Sequence, residues 1–215
     1  MVIEYFGHSC FEITDGKRTI VFDPFGNIGY EQPRLTADYC VCSHKHYDHF
    51  SVGYVDCKQI ITAENCEGFD FLKSVGNFHD ECGGKKRGAN TVFIYKATDG
   101  TTFCHMGDTG EKVNEKLLLE IGKVDVLAVP VGGNYTIDYK EALEYCKGIK
   151  PKIIIPMHYK TRRSDIDIAG KTDFLAAFNK KEIIKADGKI TVTADTLSAI
   201  DENNETIVDF CDDRF

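Results

Sequence analysis

The sequence has no apolar run long enough to cross a membrane, since a spanning helix needs about 18 or more consecutive apolar residues and polar residues interrupt every run earlier. Its first residues also lack a basic stretch followed by an apolar segment and a small-residue cleavage site, so we expect no signal peptide. Both absences predict a soluble, cytoplasmic protein with no membrane partner.

The nine cysteines include no CxxC pair, and they are an odd number scattered along the chain, several of them inside apolar runs. This pattern does not fit a zinc ribbon or a disulfide framework. We expect reduced, mostly buried thiols in a reducing compartment.

Positive charge is in deficit, with 26 Lys and Arg residues against 34 Asp and Glu residues and a formal net charge of −8. Nucleic-acid binding proteins usually neutralise phosphates with a basic face. We therefore expect no nucleic-acid partner, although an acidic surface also serves simply to keep a protein soluble.

Linkers rich in Gly, Ser or Pro, low-complexity tracts and fixed-period repeats are all missing. A chain of 215 residues with 42% hydrophobic content is long enough to bury one sizeable core. We predict a single domain spanning 1–215 and leave homo-oligomer formation open.

Apolar periodicity predicts a strand-rich first half and a second half that alternates helix and strand. Strands are expected near 2–6, 10–14, 18–22, 39–42, 58–62, 91–97, 101–106, 124–130 and 152–156. Helices are expected near 111–122, 138–149 and 171–181, followed by a closing pair of strands near 182–193 and by an edge strand or loose tail at 205–215. Turn residues at 15–17 and 98–100 predict two hairpins. This order indicates an α/β layered domain with helices covering sheets.

Several predicted strands end in a polar residue that can bind a metal ion. These residues are Asp23, Asp108, His158 and the segment that begins at His44. Strand ends are rigid, so a site built on them is held more accurately than one built on free loops.

The segment SHKHYDH places four metal-binding side chains within six positions. Alternate residues of an extended segment point the same way, so His44 and His46 can share one ion, while Asp48 and His49 can serve a second. A solvated polar loop is the competing interpretation, but chance rarely places HxHxDH directly after an apolar strand.

Three further candidate ligands stand alone, and each has an ordinary alternative explanation. His79 fits a surface histidine, His158 a packed one, and Asp108 in GDTG a simple turn residue. Their joint occurrence after HxHxDH is what favours a metal site.

Together, HxHxDH, a single histidine, an aspartate in GDTG and a final histidine resemble the metallo-β-lactamase superfamily. The segments GHSCFEI, SHKHYDH, RGANTVF, GDTG, PVGGNYTID and IPMHYKT resemble its small stand-alone branch of metal-dependent hydrolases. That branch is similar to the ascorbate-6-phosphate lactonase group and, more distantly, to phospholipase D enzymes that act on N-acylethanolamine phospholipids.

The resemblance implies a four-layer αββα sandwich that holds two divalent metal ions. It gives His44, His46 and His79 to the first ion, Asp48, His49 and His158 to the second, and Asp108 to a bridge between them. It also gives Asp23 an orienting role beside the ligands. We predict Asp48 and Asp108 as the catalytic carboxylates.

Imidazole nitrogens and carboxylate oxygens suit zinc or manganese, and iron also fits. A bridging carboxylate holds two such ions about 3.5–4 Å apart and lowers the pKa of water trapped between them. His8, in a Gly-His-Ser turn, is a candidate second-shell residue lining the cleft. His105 lies at odd spacing from Asp108 and is expected to point to the opposite face, into the core or into the shell behind the ligands.

Cationic residues follow two of the predicted ligands, which favours a small anionic metabolite as substrate. Arg87 lies shortly after His79, and Lys160 lies two residues after His158. Tyr135 and Thr136 follow a glycine turn and are candidate substrate contacts as well. Solvated surface charge, and a strand-to-helix turn with Thr136 or Asp138 as its N-cap, are the alternative interpretations.

The favoured function is hydrolysis of an ester-like bond in a small molecule, with a lactone, a phosphoester or a related compound as substrate. A metal-dependent nuclease or phosphodiesterase of the same fold is the nearest alternative, and a di-iron oxidoreductase is a more distant one. A β-lactamase is disfavoured, because two-zinc members usually have cysteine where this chain has Asp108.

Overall fold

Two mixed β-sheets form the centre of the computed structural model, which describes residues 1–178, 182–201 and 205–212. In chain order the strands are β1 (Val2–Gly7), β2 (Cys10–Thr14), β3 (Thr19–Phe22), β4 (Leu35–Val41), β5 (Val55–Ile61), β6 (Leu72–Phe78), β7 (Ala89–Lys96), β8 (Thr102–His105), β9 (Val126–Pro130), β10 (Ile153–Met157), β11 (Ile183–Ala186), β12 (Lys189–Thr191) and β13 (Thr206–Phe210). The first sheet has the order β12-β1-β2-β3-β4-β5, and the second has the order β11-β13-β10-β9-β8-β7-β6.

The helices are α1 (Glu115–Ile121), α2 (Tyr139–Ile149), α3 (Thr172–Ala176) and α4 (Ala194–Ala199). α2 lies against β9, α1 and α3, while α1 also contacts β6, so these helices cover the second sheet. Two mixed sheets flanked by helices confirm the predicted αββα class. No helix in the described ranges is long and apolar enough to cross a membrane.

The core lies between the two sheets, where apolar side chains of alternating strand residues meet. Phe11 and Phe22 from the first sheet each lie 5.6 Å, between ring centroids, from Phe103 of the second. Burying one such aromatic side chain contributes about 1.5–3 kcal/mol to stability. β9 and β10 are buried at every position, as expected for parallel strands covered on both faces.

The second sheet departs from the predicted strands in two places. β6 was not predicted, because Ser74, Gly76 and Asn77 weaken its apolar alternation. The C-terminal segment was predicted as an edge strand or a loose tail, and that is wrong. β13 lies between β11 and β10, where its buried Ile207 and Val208 pack on both faces.

The predicted closing pair of strands consists of β11 and β12, which join different sheets and do not pair with each other. α1 begins at Glu115 instead of residue 111, because the extended Asn114 caps it by accepting a hydrogen bond from the Leu117 N–H. The short helix α4 was not predicted. α3 ends at Ala176, and residues 179–181 of the predicted helix lie outside the described residues.

Chain direction brings the ends of six strands to one edge of the sandwich. β3 and β4 run parallel in the first sheet, and so do β8, β9 and β10 in the second. β6 runs the same way as β8 because both are antiparallel to β7. The residues that follow these strands therefore meet at this edge.

Candidate metal centre

Asp108, in the turn after β8, is surrounded by four of the predicted histidine ligands. Its Oδ1 lies 3.0 Å from His49 Nε2. Its Oδ2 lies 3.1 Å from His79 Nε2, 3.4 Å from His158 Nε2 and 3.8 Å from His44 Nε2. Each histidine follows a different strand end or lies in the loop after β4, so the fold gathers ligands from across the whole sequence.

With the remaining predicted ligands, these histidines form two groups. Within each group, the donor atoms lie within 4.8 Å of one another. One group consists of His44, His46 and His79, and the other consists of His8, Asp48, His49 and His158. Apart from His8, these are the two sets implied by the sequence resemblance. In the first group, His44 Nε2 lies 3.0 Å from His46 Nδ1.

Asp23 fixes the loop that carries HxHxDH. This aspartate directly follows β3 and has a positive φ of 42°, and its carboxylate accepts hydrogen bonds from the Ser43 backbone N–H at 2.7 Å and from the Ser43 hydroxyl at 2.6 Å. The second carboxylate oxygen also accepts from His49 Nδ1 at 2.7 Å. His49 therefore turns its Nε2 toward Asp108, which is the geometry that metal-binding histidines require.

The charge state of the site suits divalent ions. Burial, followed by the charge of His49, lowers the pKa of His44 to about 3, and burial also lowers the pKa of His46. Both imidazoles are therefore neutral at physiological pH, as metal ligands must be. The buried atoms His49 Nε2 and Asp108 Oδ1 have no hydrogen-bond partner, although they lie 3.0 Å apart.

The pKa of His49 shifts in the opposite direction from those of His44 and His46. Burial lowers the pKa of His49, but the Asp108 and Asp48 carboxylates outweigh burial and raise the pKa well above its ordinary value. A proton on His49 thus compensates these carboxylates, and a cation bound there displaces it. The donor set of imidazole nitrogens and ionised carboxylates fits divalent metal ions.

Comparison with known proteins agrees with this geometry. The profile of the Beta-lactamase superfamily domain matches residues 2–158. The chain belongs to the metallo-β-lactamase superfamily. A UPF0173 metal-dependent hydrolase of Carboxydothermus hydrogenoformans is 32% identical, over 75% of this chain and 85% of that protein. A candidate Zn-dependent hydrolase of the superfamily from Thermotoga maritima superposes with a TM-score of 0.75 at 32% identity, over 97% of both chains.

The chain carries a cluster of His and Asp residues that could hold a metal ion. Its relatives are named metal-dependent hydrolases, and the chain is an enzyme of the hydrolase class. The GDTG turn that bears Asp108 is held by residues that the sequence reasoning missed. The Asn90 side-chain carbonyl accepts from the Asp108 N–H at 2.9 Å, while its amide donates to Met106 O at 2.9 Å. The sequence signal for this role was the polar residue Asn90, which lies at a buried position of β7.

His105 points away from Asp108, as its spacing predicted. The ring is fully buried, stacks on Phe22 at 5.4 Å between centroids, and lies 2.8 Å from Ser9 O. His105 Nδ1 lies 3.9 Å from Asp23 Oδ2, so the His105 ring approaches Asp23 from the core.

The four residues predicted to bind substrate make different contacts in the structure. Arg87 is half-buried and lies 5.3 Å above the ring of Tyr135, so these two residues connect the loop after β6 to the loop after β9. Thr136 bonds to the Ile137 carbonyl, and Asp138, not Thr136, caps α2. The Lys160 ammonium donates to Ile166 O at 2.8 Å and thereby closes its own loop.

A cleft of about 320 Å³ opens beside the first ligand group. Its lining consists of His44, Lys45, His46, Thr62, Ala63, Glu64, Arg87 and Ala89. Lys45 pairs with Glu64 at 2.8 Å, whereas Arg87 has no carboxylate partner in the described part of the chain. Among the described residues, Arg87 is therefore the cation lining this cleft that forms no salt bridge.

Proposed function

We propose that the protein is a two-metal hydrolase that cleaves an ester-like bond, such as a lactone or phosphoester, in a small anionic metabolite. The single observation that carries the proposal is the position of Asp108. Its Oδ1 lies 3.0 Å from His49 Nε2 of one ligand group, and its Oδ2 lies 3.1 Å from His79 Nε2 of the other group and 3.4 Å from His158 Nε2 of the same group as His49, so the carboxylate contacts both groups. This is the arrangement expected of a carboxylate that bridges two ions.

Two sets of residues of this chain would each hold one ion. His44, His46 and His79 would hold the first ion, and Asp48, His49 and His158 the second, with zinc or manganese preferred and iron also suited to the donors. Bound ions of this kind lower the pKa of water and polarise the attacked group. The Asp48 carboxylate is 14% exposed against 2% for Asp108, so Asp48 is the more accessible of the two ligand carboxylates.

The setting of the enzyme follows from composition. Nine free thiols favour a reducing compartment such as the cytoplasm. The acidic surface, with its net charge of −8, disfavours a nucleic-acid substrate. A small metabolite of the kind handled by ascorbate-6-phosphate lactonases agrees with both features.

Activity screening of the metal-free and reconstituted protein tests the proposal. We expect chelator-sensitive hydrolysis of lactones or p-nitrophenyl phosphodiesters, restored by Mn²⁺ or Zn²⁺. Digestion of single-stranded nucleic acid without activity on small esters would favour a nuclease. Oxygen consumption with a reductant would favour a di-iron oxidoreductase.

Arg87→Ala is expected to raise KM for an anionic substrate about tenfold or more, because a hydrogen bond to a charged group contributes about 1.5–3 kcal/mol. We expect a smaller effect on kcat and on a neutral analogue, since the contact is remote from the bond that breaks. Steady-state kinetics on both substrates provide the measurement.

Lys160→Ala is the matched cation variant. The sequence alone gave Lys160 the same anion-binding role, but its ammonium is engaged by Ile166 O, so we now expect a smaller rise in KM than for Arg87→Ala. Unchanged kinetics of Arg87→Ala on both substrates would remove Arg87 from the substrate site.

A further inference from the structure

His8 lies beside the second ligand group in a backbone conformation that L-residues rarely adopt. Its φ is +51°, and His158, which faces it, has a φ of +50°. The His158 N–H donates to His8 O at 2.7 Å, and the Tyr5 hydroxyl donates to the same carbonyl at 2.9 Å. Non-glycine residues in this region are retained when the surroundings fix them, often at functional sites.

The His8 ring is almost fully buried among the ligands of that group. Its centroid lies 4.3 Å from that of His158 and 5.1 Å from that of His49. Its Nε2 lies 3.2 Å from Asp48 Oδ2, within hydrogen-bond distance. The one residue therefore contacts Asp48 through its ring and His158 through its backbone.

Asp48 is the most exposed of the three carboxylates of the site, at 14% against 2% for Asp108 and 1% for Asp23, so burial alone does not fix its orientation. Asp23 accepts from Ser43 and His49, and the turn that bears Asp108 is tied to Asn90. Among the described residues, His8 is the side chain that hydrogen-bonds Asp48. A ligand carboxylate without an orienting bond keeps rotamer freedom, which metal binding must then remove.

We infer that His8 is the positioning residue of the second metal set, with its ring N–H holding the Asp48 carboxylate and its backbone carbonyl holding His158. The inference rests on the proposed function. It assigns His8 no direct bond to an ion, and it predicts that His8 selectively governs the affinity of the second ion.

Two substitutions separate positioning from ligation. His8→Asn keeps a residue that tolerates positive φ but shortens the side chain, so it loses Asp48. His8→Gln keeps an N–H donor at greater reach. By calorimetric titration of metal-free protein with Mn²⁺, we expect His8→Asn to weaken the second ion about tenfold to a hundredfold and to leave the first unchanged. His8→Gln should recover most of that loss.

Electron paramagnetic resonance of the Mn²⁺-loaded proteins supplies a readout independent of activity. Wild type should give the spectrum of a coupled pair, and His8→Asn at matched Mn²⁺ should give that of isolated ions. His46→Asn is the matched control, because it should weaken the first ion instead. Circular dichroism melts check that each variant is folded.

Three outcomes would contradict the inference or the function on which it rests. Unchanged second-ion affinity in His8→Asn would overturn the inference. A His8→Gln variant as weak as His8→Asn would also overturn it, because His8 would then act as a ligand. Wild type that binds one ion would contradict the proposed function itself, and with it the second set that His8 is inferred to position.

Discussion

Asp108→Ala is expected to lower kcat/KM for the best substrate by about a thousandfold or more while leaving the protein folded. The Asp108 carboxylate lies within 3.0–3.8 Å of four histidine nitrogens, and it faces both ligand groups. Its removal takes a negative charge from between two cations. Because repulsion scales with the product of the charges, two divalent ions repel four times as strongly as two unit charges at the same separation.

Asp108→Asn is the isosteric control for this prediction. It keeps the shape of the turn and one oxygen, but it loses the charge that compensates the ions. We expect activity almost as low as that of Asp108→Ala, with a melting temperature closer to wild type. Near-normal turnover in either variant would exclude Asp108 from a bridging role.

Gly110→Ala is expected to cost both stability and metal affinity, although Gly110 touches no ligand through a side chain. An added Cβ would lie 2.6 Å from the carbonyl carbon and oxygen of His79 and 2.7 Å from Asp80 N. The Gly110 N–H also donates to Phe78 O at 2.9 Å, so the two backbones are tied together. Neither can yield without moving His79 or the Asp108 turn.

Overpacking of this kind costs about 1–3 kcal/mol of stability. Displacing the backbone that positions a metal ligand is expected to lower metal affinity about tenfold to a hundredfold. Thermal melts and elemental analysis of Gly110→Ala measure the two effects. Gly53→Ala is the matched control, because its added Cβ meets nothing within 4 Å. If Gly110→Ala matched Gly53→Ala in both measurements, the close approach would not constrain the site.

The strand framework and the gathering of the candidate ligands could be predicted from short-range patterns. Apolar runs that end in a polar residue mark β3, β4, β8 and β10, and the direction of parallel strands then brings Asp23, His44, Asp108 and His158 to one edge. Strand periodicity marked these strand ends, whereas the assignment of the ligands to two ions came from the resemblance to the metallo-β-lactamase superfamily.

The rest depended on tertiary contacts that local pattern does not encode. β6, which delivers His79, is stabilised by pairing with β7 rather than by its own weak alternation. β13 is interior because β11 returns to cover it. The hydrogen bond of His8 to Asp48 joins residues 40 positions apart, and no spacing in the sequence predicts it.

Metal content of the protein purified without chelator, and again after reconstitution with Mn²⁺ or Zn²⁺, tests the two-metal proposal most directly. Seven donor residues exceed what one tetrahedral zinc uses and suit two sites that share a carboxylate. Elemental analysis should give about two divalent ions per chain, because the two ligand groups meet at Asp108. At most one ion per chain, even after reconstitution, would contradict the account.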